Sequence, residues 1–227
     1  MSSSTENYLK IKSKIEKSLL KAGRQSGDAQ ILVVSKERSP EQILELQQQG
    51  TSCFGENYVQ EWREKKDLLK KNNIHWHFIG RLQSNKLKYL VGQIELYHSL
   101  DRWDLALKMN DISKKNSLIS QVLIEVDLAH EENKTGVSEE ELTDFVQKMN
   151  TLSHLQLKGF MLFPPPSEDP ENSRPYYRRL REILFEFNQK NVYKEKLREL
   201  SMGMSNDYCV AAEEGATWLR IGRALWL

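Results

Sequence analysis

The stretch ILVVSKERSPEQILELQQQG, residues 31–50, joins a short apolar run to an amphipathic segment. The apolar run is mostly β-branched, which is typical of a strand that is covered on both faces. Ser39 and Pro40 then suit the N-cap and the first position of a helix, and Gln42 completes a capping box. Gly50 is suited to end that helix, so residues 31–50 predict one strand followed by one helix.

The same alternation extends along the whole chain, after a predicted leading helix at residues 5–24. Seven further strands are predicted at residues 52–54, 75–79, 94–98, 121–126, 157–162, 197–200 and 218–221. The helices between them are predicted at residues 57–72, 84–91, 101–114, after the capping box Ser138-x-x-Glu141, at 174–190 and at 206–214. We therefore predict an α/β protein, a single (β/α)8 TIM barrel over residues 1–227 with an extra N-terminal helix. A doubly wound open sheet is the alternative, because both folds use buried parallel strands.

Composition excludes several classes of protein. The chain has 33 Lys+Arg and 32 Asp+Glu, so no net field attracts nucleic acid or anionic lipid. Mean hydropathy is −0.63, and no apolar run approaches the roughly 18 residues of a membrane span. The N-terminus lacks the apolar core of a secretory signal, and Cys53 and Cys209 stand apart. We expect a cytoplasmic protein with no nucleic-acid or membrane partner.

Lys36 follows the first predicted strand directly. Barrel chemistry is concentrated at the carboxyl ends of the strands. A partly buried lysine there has a lowered pKa and can attack a carbonyl carbon to form a Schiff base. An exposed lysine at the start of a loop is the open alternative. The proline-rich segment 163–175 also follows a strand, either as part of the same face or as a stiff surface loop.

Two segments near the C-terminus are candidates for binding phosphate. Residues 201–207 follow the seventh strand, with Gly203 for close backbone approach and Ser205 at the expected helix N-cap. Residues 220–223, Arg-Ile-Gly-Arg, end the eighth strand. Loops after strands 7 and 8 are the recurrent phosphate site of such barrels. A simple capped turn is the alternative for Ser205.

The remaining polar clusters suggest little chemistry of their own. His75 and His77 share one face of a strand, but no carboxylate or cysteine is spaced to complete a metal site, so none is predicted. The pairs Lys65-Lys66 and Lys70-Lys71 are interleaved with acidic residues, which indicates solvated helix faces.

Several motifs together resemble one family. They are VVSK at residues 33–36, FGENYVQE at 54–61, WHFIG-x-LQ-x-NK at 76–86, K-x-G at 134–136, SMGMS-x-D at 201–207 and RIG at 220–222. They resemble the pyridoxal phosphate homeostasis proteins, short relatives of the alanine racemase N-terminal domain with the fold-type III barrel. The resemblance implies that Lys36 holds pyridoxal 5′-phosphate (PLP) as a covalent internal aldimine. It further implies that the phosphate contacts Ser205, Gly222, the backbone at Arg223 and Ser201. Arg220 would face the pyridine nitrogen, and Asn57 and His77 would line the cofactor ring.

These implied contacts favour a binding protein over an enzyme. A guanidinium at the pyridine nitrogen disfavours its protonation, so the ring stabilises a carbanion poorly. Alanine racemases take a second base from an added domain, and the barrel is expected to use this chain to its end. We expect a monomer that holds PLP, takes part in vitamin B6 homeostasis and supplies PLP-dependent apoenzymes, with no catalytic residues. The alternatives are an amino-acid racemase or related fold-type III enzyme, and a Schiff-base aldolase.

One position departs from the family pattern. Arg223 stands where relatives often carry threonine. A hydroxyl contact to phosphate would be lost there and a cation gained.

Overall fold

The computed structural model describes residues 2–129 and 135–226. Nine strands are present in this part of the chain: β1 (Gln30–Val34), β2 (Cys53–Glu56), β3 (His75–Phe78), β4 (Leu96–Leu100), β5 (Ser120–Asp127), β6 (Val137–Ser138), β7 (Leu155–Met161), β8 (Glu199–Ser201) and β9 (Trp218–Ile221). Eight of them pair in the order β1-β2-β3-β4-β5-β7-β8-β9, and β9 pairs with β1. Every pairing is parallel, so the predicted eight-stranded barrel is confirmed and the open sheet is wrong.

Helices surround the barrel: α1 (Ser3–Lys21), α2 (Pro40–Gln47), α3 (Val59–Leu68), α4 (Leu87–Leu90), α5 (Trp103–Lys115), α6 (Glu139–Met149), α7 (Arg174–Gln189), α8 (Tyr208–Glu213) and α9 (Arg223–Trp226). A 3-10 helix at Pro170–Ser173 precedes α7. The capping box of α2 is confirmed, since the side chains of Ser39 and Gln42 each accept from the other's backbone N–H. Ser138 also caps α6, as predicted.

Short elements account for most differences from the predicted pattern. β6 pairs only with β5 outside the barrel, and α9 is a single turn; neither was expected. Ser205 is not the N-cap of α8, because that helix begins later and Asp207 occupies the cap position. Residues 204–207 form a turn instead, in which Asp207 Oδ1 accepts from the Met204 N–H at 2.7 Å.

The main apolar core lies between the barrel and its helices. Large side chains such as Trp62, Tyr97 and Tyr177 are almost completely buried there. The inside of the barrel is different, since two small apolar clusters are joined by polar side chains that are equally buried. Such groups need hydrogen-bond partners, which places a polar network directly beneath the carboxyl ends of the strands.

Among the described residues, no helix combines the length and apolar composition that crossing a membrane requires.

Candidate functional site

A cavity of about 880 Å³ opens at the carboxyl ends of the barrel strands. Its wall includes six of the eight residues predicted for the site: Lys36, Asn57, Ser205, Arg220, Gly222 and Arg223. Residues 163–168, the start of the proline-rich segment, complete the wall, so this loop belongs to the mouth of the barrel. The structure therefore brings together side chains that lie up to 187 positions apart, from Lys36 to Arg223.

Lys36 stands in a tight turn that follows β1. The Ser35 carbonyl accepts from the Arg38 N–H at 3.1 Å, and Glu37 adopts a φ of 61°. The side chain of Lys36 is exposed to the cavity, so the expected partial burial is not found. Its amine makes no hydrogen bond or ion pair with the rest of the described chain, which leaves it available to a ligand.

Arg220 of β9 is a buried cation on the cavity wall, with 2% of its surface exposed. Its Nη1 donates to the carbonyl and hydroxyl oxygens of Ser201 at 2.6 and 2.8 Å, and its Nη2 donates to the Leu162 carbonyl at 2.9 Å. The guanidinium lies 4.4 Å from the centroid of the Phe163 ring. Burial lowers the pKa of Arg220 to about 10, so it stays charged at neutral pH. Its Nε finds no partner among the described residues.

A chain of hydrogen bonds continues from Arg220 into the barrel. Ser201 Oγ lies 2.8 Å from His98 Nδ1, and His98 Nε2 lies 2.9 Å from His77 Nδ1. The guanidinium uses one acceptor lone pair of the Ser201 hydroxyl, so the hydroxyl hydrogen is free to donate to His98 Nδ1. In that arrangement His98 Nε2 donates to His77 Nδ1, and the proton of His77 lies on Nε2.

Both histidines are held neutral. Burial lowers the pKa of His77 to about 3 and that of His98 well below its usual range. Trp218 packs edge-on against His77, with ring centroids 4.6 Å apart. Two of the eight predicted residues, His77 and Ser201, thus lie beneath the cavity and not on its wall. His98 was not predicted as part of the site. It is the last residue of the predicted strand 94–98, and this position could have indicated that it lies near the site.

The loops after β8 and β9 are locked to each other beside the cavity. The Arg220 N–H donates to the Gly203 carbonyl at 3.0 Å, and the Ala224 N–H donates to Ser205 Oγ at 3.1 Å. The hydroxyl hydrogen of Ser205 remains able to donate to a ligand. A Cβ on Gly222 would lie 3.2 Å from Val34 Cβ, so glycine keeps the backbone close to β1. Arg223 is exposed at the start of α9.

Further polar atoms in the wall lack partners. Asn57 Oδ1 and Arg38 Nε are buried and make no hydrogen bond within the described residues. Arg38 also lies 5.5 Å above the ring of Trp226, whose indole N–H donates to the Val34 carbonyl at 2.9 Å. Leaving a buried polar group unpaired costs about 1–3 kcal/mol, so a ligand with matching groups would gain by pairing with these atoms. Neither Arg38 nor Trp226 was predicted.

The unpartnered atoms fit PLP. The Nε of Arg220 can donate to a ring nitrogen that accepts, and the Lys36 amine can meet an aldehyde. Arg38, Arg223 and the Ser205 hydroxyl together suit a phosphate dianion.

His75 does not enter the site. His75 is partly exposed and hydrogen bonds to Glu95 on the surface, and no cluster of three His, Cys, Asp or Glu side chains suits a metal ion in residues 2–129 and 135–226. Lys134, from the K-x-G motif, lies outside the described residues.

Comparison with known sequences identifies relatives over the full length. The model of the alanine racemase N-terminal domain matches residues 12–227. A pyridoxal phosphate homeostasis protein from Aquifex aeolicus (strain VF5) is 43% identical over 97% of this chain and 96% of the relative. A protein of the same name from Escherichia coli (strain K12) is 30% identical over 100% of this chain and 97% of the relative.

Solved structures show the same barrel. PipY of Synechococcus elongatus PCC7942, solved with PLP bound, has a TM-score of 0.83 at 30% identity, covering 94% of this chain and 100% of PipY. An alanine racemase from Clostridium difficile 630 has a TM-score of 0.74 at 14% identity over 96% of this chain and 56% of that chain, which shows the fold alone. The chain therefore belongs to the pyridoxal phosphate homeostasis proteins, within the alanine racemase N-terminal domain family.

Proposed function

We propose that this protein holds PLP as a Schiff base on Lys36 and takes part in intracellular vitamin B6 homeostasis without enzymatic turnover. One observation carries the proposal: Lys36, whose amine has no partner, and Arg220, whose buried Nε has none among the described residues, line the same cavity. The names of the relatives and the PLP-bound PipY structure support it.

PLP supplies an aldehyde carbon when it is bound. The Lys36 amine would condense with this carbon and release one water molecule. Arg220 Nε would donate to the pyridine nitrogen. Ser205, Gly222 and the backbone at Arg223 would hold the phosphate, with the Arg223 cation beside it, and Asn57 would line the ring. We assign His77 and Ser201 an indirect part, because both act on Arg220 from beneath the cavity.

The charge expected at the pyridine nitrogen supports the proposed absence of turnover. Arg220 is charged, buried and anchored to Ser201 and Leu162, so it cannot hand a proton to the ring at neutral pH. An unprotonated ring stabilises a carbanion at a bound amino acid poorly. A PLP-dependent racemase is the competing function, and it requires such a carbanion.

Borohydride reduction tests the Schiff base. Purified protein incubated with PLP should be yellow, and reduction followed by peptide mass mapping should place the adduct on Lys36. Lys36→Ala should remove the band, while Lys10→Ala, at an exposed lysine of α1, should keep it. An adduct on another lysine in the wild type would overturn the assignment.

Deuterium incorporation tests the absence of turnover. The holoprotein is incubated with single enantiomers of amino acids in deuterated water. We expect no α-deuteration and no racemization beyond free PLP. Either reaction above that background would establish the racemase alternative.

The cellular setting belongs to the same proposal. Cys53 and Cys209 are unpaired, which suits a reducing cytoplasm. We infer a monomer, testable by sedimentation. Transfer of PLP to a PLP-dependent apoenzyme, followed by recovery of that enzyme's activity, tests the proposed partnership; no recovery beyond that given by free PLP would contradict it.

A further inference from the structure

We propose that Lys65 and Glu61 of α3, which form an internal ion pair, position Lys36 for its reaction with PLP through their hydrogen bonds to the turn that carries it. Lys65 donates a hydrogen bond to the Ser35 carbonyl, directly before Lys36. Glu61 accepts one from the Glu37 N–H, directly after Lys36. This inference rests on the proposed function, since Lys36 is taken as the residue that binds PLP. Neither residue touches the cavity, so both are positioning residues.

Lys65 is a buried lysine that meets three acceptors. Its Nζ lies 2.5 Å from the Ser35 carbonyl oxygen, 2.7 Å from Glu56 Oε1 and 2.6 Å from Glu61 Oε1. An ammonium group has three hydrogens, so every donor is used. The expectation that Lys65 lies on a solvated helix face is therefore wrong, because its side chain is only 6% exposed. Its first acceptor is the residue directly before Lys36.

Glu61 is hydrogen bonded to the other side of the same turn. Its Oε1 accepts a hydrogen bond from the backbone N–H of Glu37, the residue directly after Lys36. Glu37 has a φ of 61°, a left-handed conformation that a non-glycine residue adopts only where its surroundings impose it. The carboxylate of Glu61 supplies such a constraint through its hydrogen bond with the Glu37 N–H.

The ends of the turn are fixed to the barrel as well. The Ser35 N–H donates to the Gly55 carbonyl at 3.0 Å, and the Ser35 hydroxyl donates to Glu56 Oε1 at 2.7 Å. Glu56 is the last residue of β2 and is fully buried. The turn therefore connects β1 to β2 and α3 through one ionic cluster.

The cluster matters to Lys36 because the side chain of this residue has no contact of its own that would orient it among the described residues. The Lys36 side chain is exposed and has no partner among the described residues, so its direction depends on its backbone. An ion pair between helix residues four apart normally lies in solvent and contributes little, as Lys148 and Asp144 illustrate on α6. Burial of such a pair is costly unless further hydrogen bonds compensate, and here those bonds go to the turn.

The test compares Glu61→Ala with Glu61→Gln. Alanine removes the acceptor for the Glu37 N–H, whereas glutamine keeps a side-chain oxygen at the same place. The first readout is hydrogen exchange of the Glu37 amide in protein without PLP, which should be faster in Glu61→Ala and close to wild type in Glu61→Gln. Asp144→Ala, which removes the exposed pair of α6, should leave this amide unchanged.

The second readout is the rate at which the Schiff-base band appears after PLP is added. We expect about a tenfold slower rate in Glu61→Ala, with recovery of most of the loss in Glu61→Gln, because small errors in the placement of a nucleophile are costly. Circular dichroism checks that both variants fold. Lys65→Met is a harsher variant, since it leaves the buried carboxylate of Glu56 and the partly exposed carboxylate of Glu61 without their cation.

The outcomes separate this inference from the proposed function. A wild-type band that forms equally fast in a folded Glu61→Ala would overturn the positioning role alone. Equal slowing in Glu61→Ala and Glu61→Gln would also overturn it, because a purely structural or charge effect predicts that result. A wild-type protein that forms no band on Lys36 defeats the proposed function itself.

Discussion

Arg220 and Ser201 are joined twice, because one guanidinium nitrogen donates to both the carbonyl and the hydroxyl oxygen of the serine, at 2.6 and 2.8 Å. The two residues lie on the neighbouring strands β9 and β8. This double contact restrains the plane of the guanidinium, whose Nε has no partner among the described residues. The Ser201 hydroxyl also begins the buried hydrogen bonds that end at His77.

Arg220→Lys should weaken PLP binding although it preserves the charge. A lysine side chain has no Nε, and its ammonium group cannot donate to Ser201 and Leu162 in the fixed planar geometry of a guanidinium. Loss of a charged hydrogen bond costs about 1.5–3 kcal/mol, so the dissociation constant should rise by about tenfold or more. Titration of the visible band measures it. Unchanged affinity would show that Arg220 does not contact the ring.

Ser201→Ala should destabilise the protein itself. It removes the hydroxyl that joins Arg220 to His98 and leaves a buried imidazole nitrogen unpaired. The free energy of unfolding should fall by about 1–3 kcal/mol in urea denaturation. Ser153→Ala, at an exposed serine, is the control and should change it by less than about 0.5 kcal/mol.

The barrel could be predicted from the sequence because its strands are buried on both faces. Such strands appear as continuous apolar runs, and the last, β9, was placed at its observed bounds. The short helices α4 and α8 were predicted too long, since amphipathic residues continue into the flanking turns. β6 has two residues and leaves no pattern to detect.

Some residues in and beneath the site could be predicted from the sequence, and others could not. Lys36, Arg220 and Gly222 could be placed at the mouth of the barrel because each stands at or just after the carboxyl end of a predicted strand. Lys65 could not, because its sequence context is that of a charged surface helix. Only the tertiary structure shows that its ammonium turns inward to Glu56. Burial of a charge by residues distant in sequence leaves no local signal.

Stability should fall as the pH drops below about 6.5, owing to the buried histidines. The pKa of His77 is about 3 in the folded protein, against about 6.5 when unfolded. Below pH 6.5 the histidine is protonated in the unfolded chain but stays neutral in the native state. The free energy of unfolding therefore falls by up to about 1.4 kcal/mol per pH unit for each such histidine. His77→Gln, which can still accept from His98, should reduce this slope between pH 6 and pH 4. Urea denaturation across that pH range measures the slope. An unchanged slope in His77→Gln would contradict the burial of His77 in its neutral form.

Gly203→Ala should be more harmful than Gly23→Ala. Both glycines have a positive φ, 89° and 71°, so alanine strains the backbone in each by about 1–2 kcal/mol. A Cβ at Gly23 meets nothing within 4 Å, whereas at Gly203 it would lie 2.4 Å from Ala211 Cβ. The additional overpacking should cost about 1–3 kcal/mol in urea denaturation. Equal losses would show that the loop after β8 shifts without cost.

Arg223→Thr tests the cation at the position where the family resemblance leads us to expect threonine. Arg223 is exposed on the cavity wall, so its attraction to a phosphate acts through solvent and is screened by salt. The dissociation constant for PLP should rise a few-fold at low ionic strength and match the wild type in about 1 M salt, where charges more than about 3 Å apart hardly interact. Arg102→Thr, at an exposed arginine outside the cavity, should leave both values unchanged. A loss of affinity in Arg223→Thr that persists in high salt would instead indicate a direct, desolvated contact between the guanidinium and the phosphate.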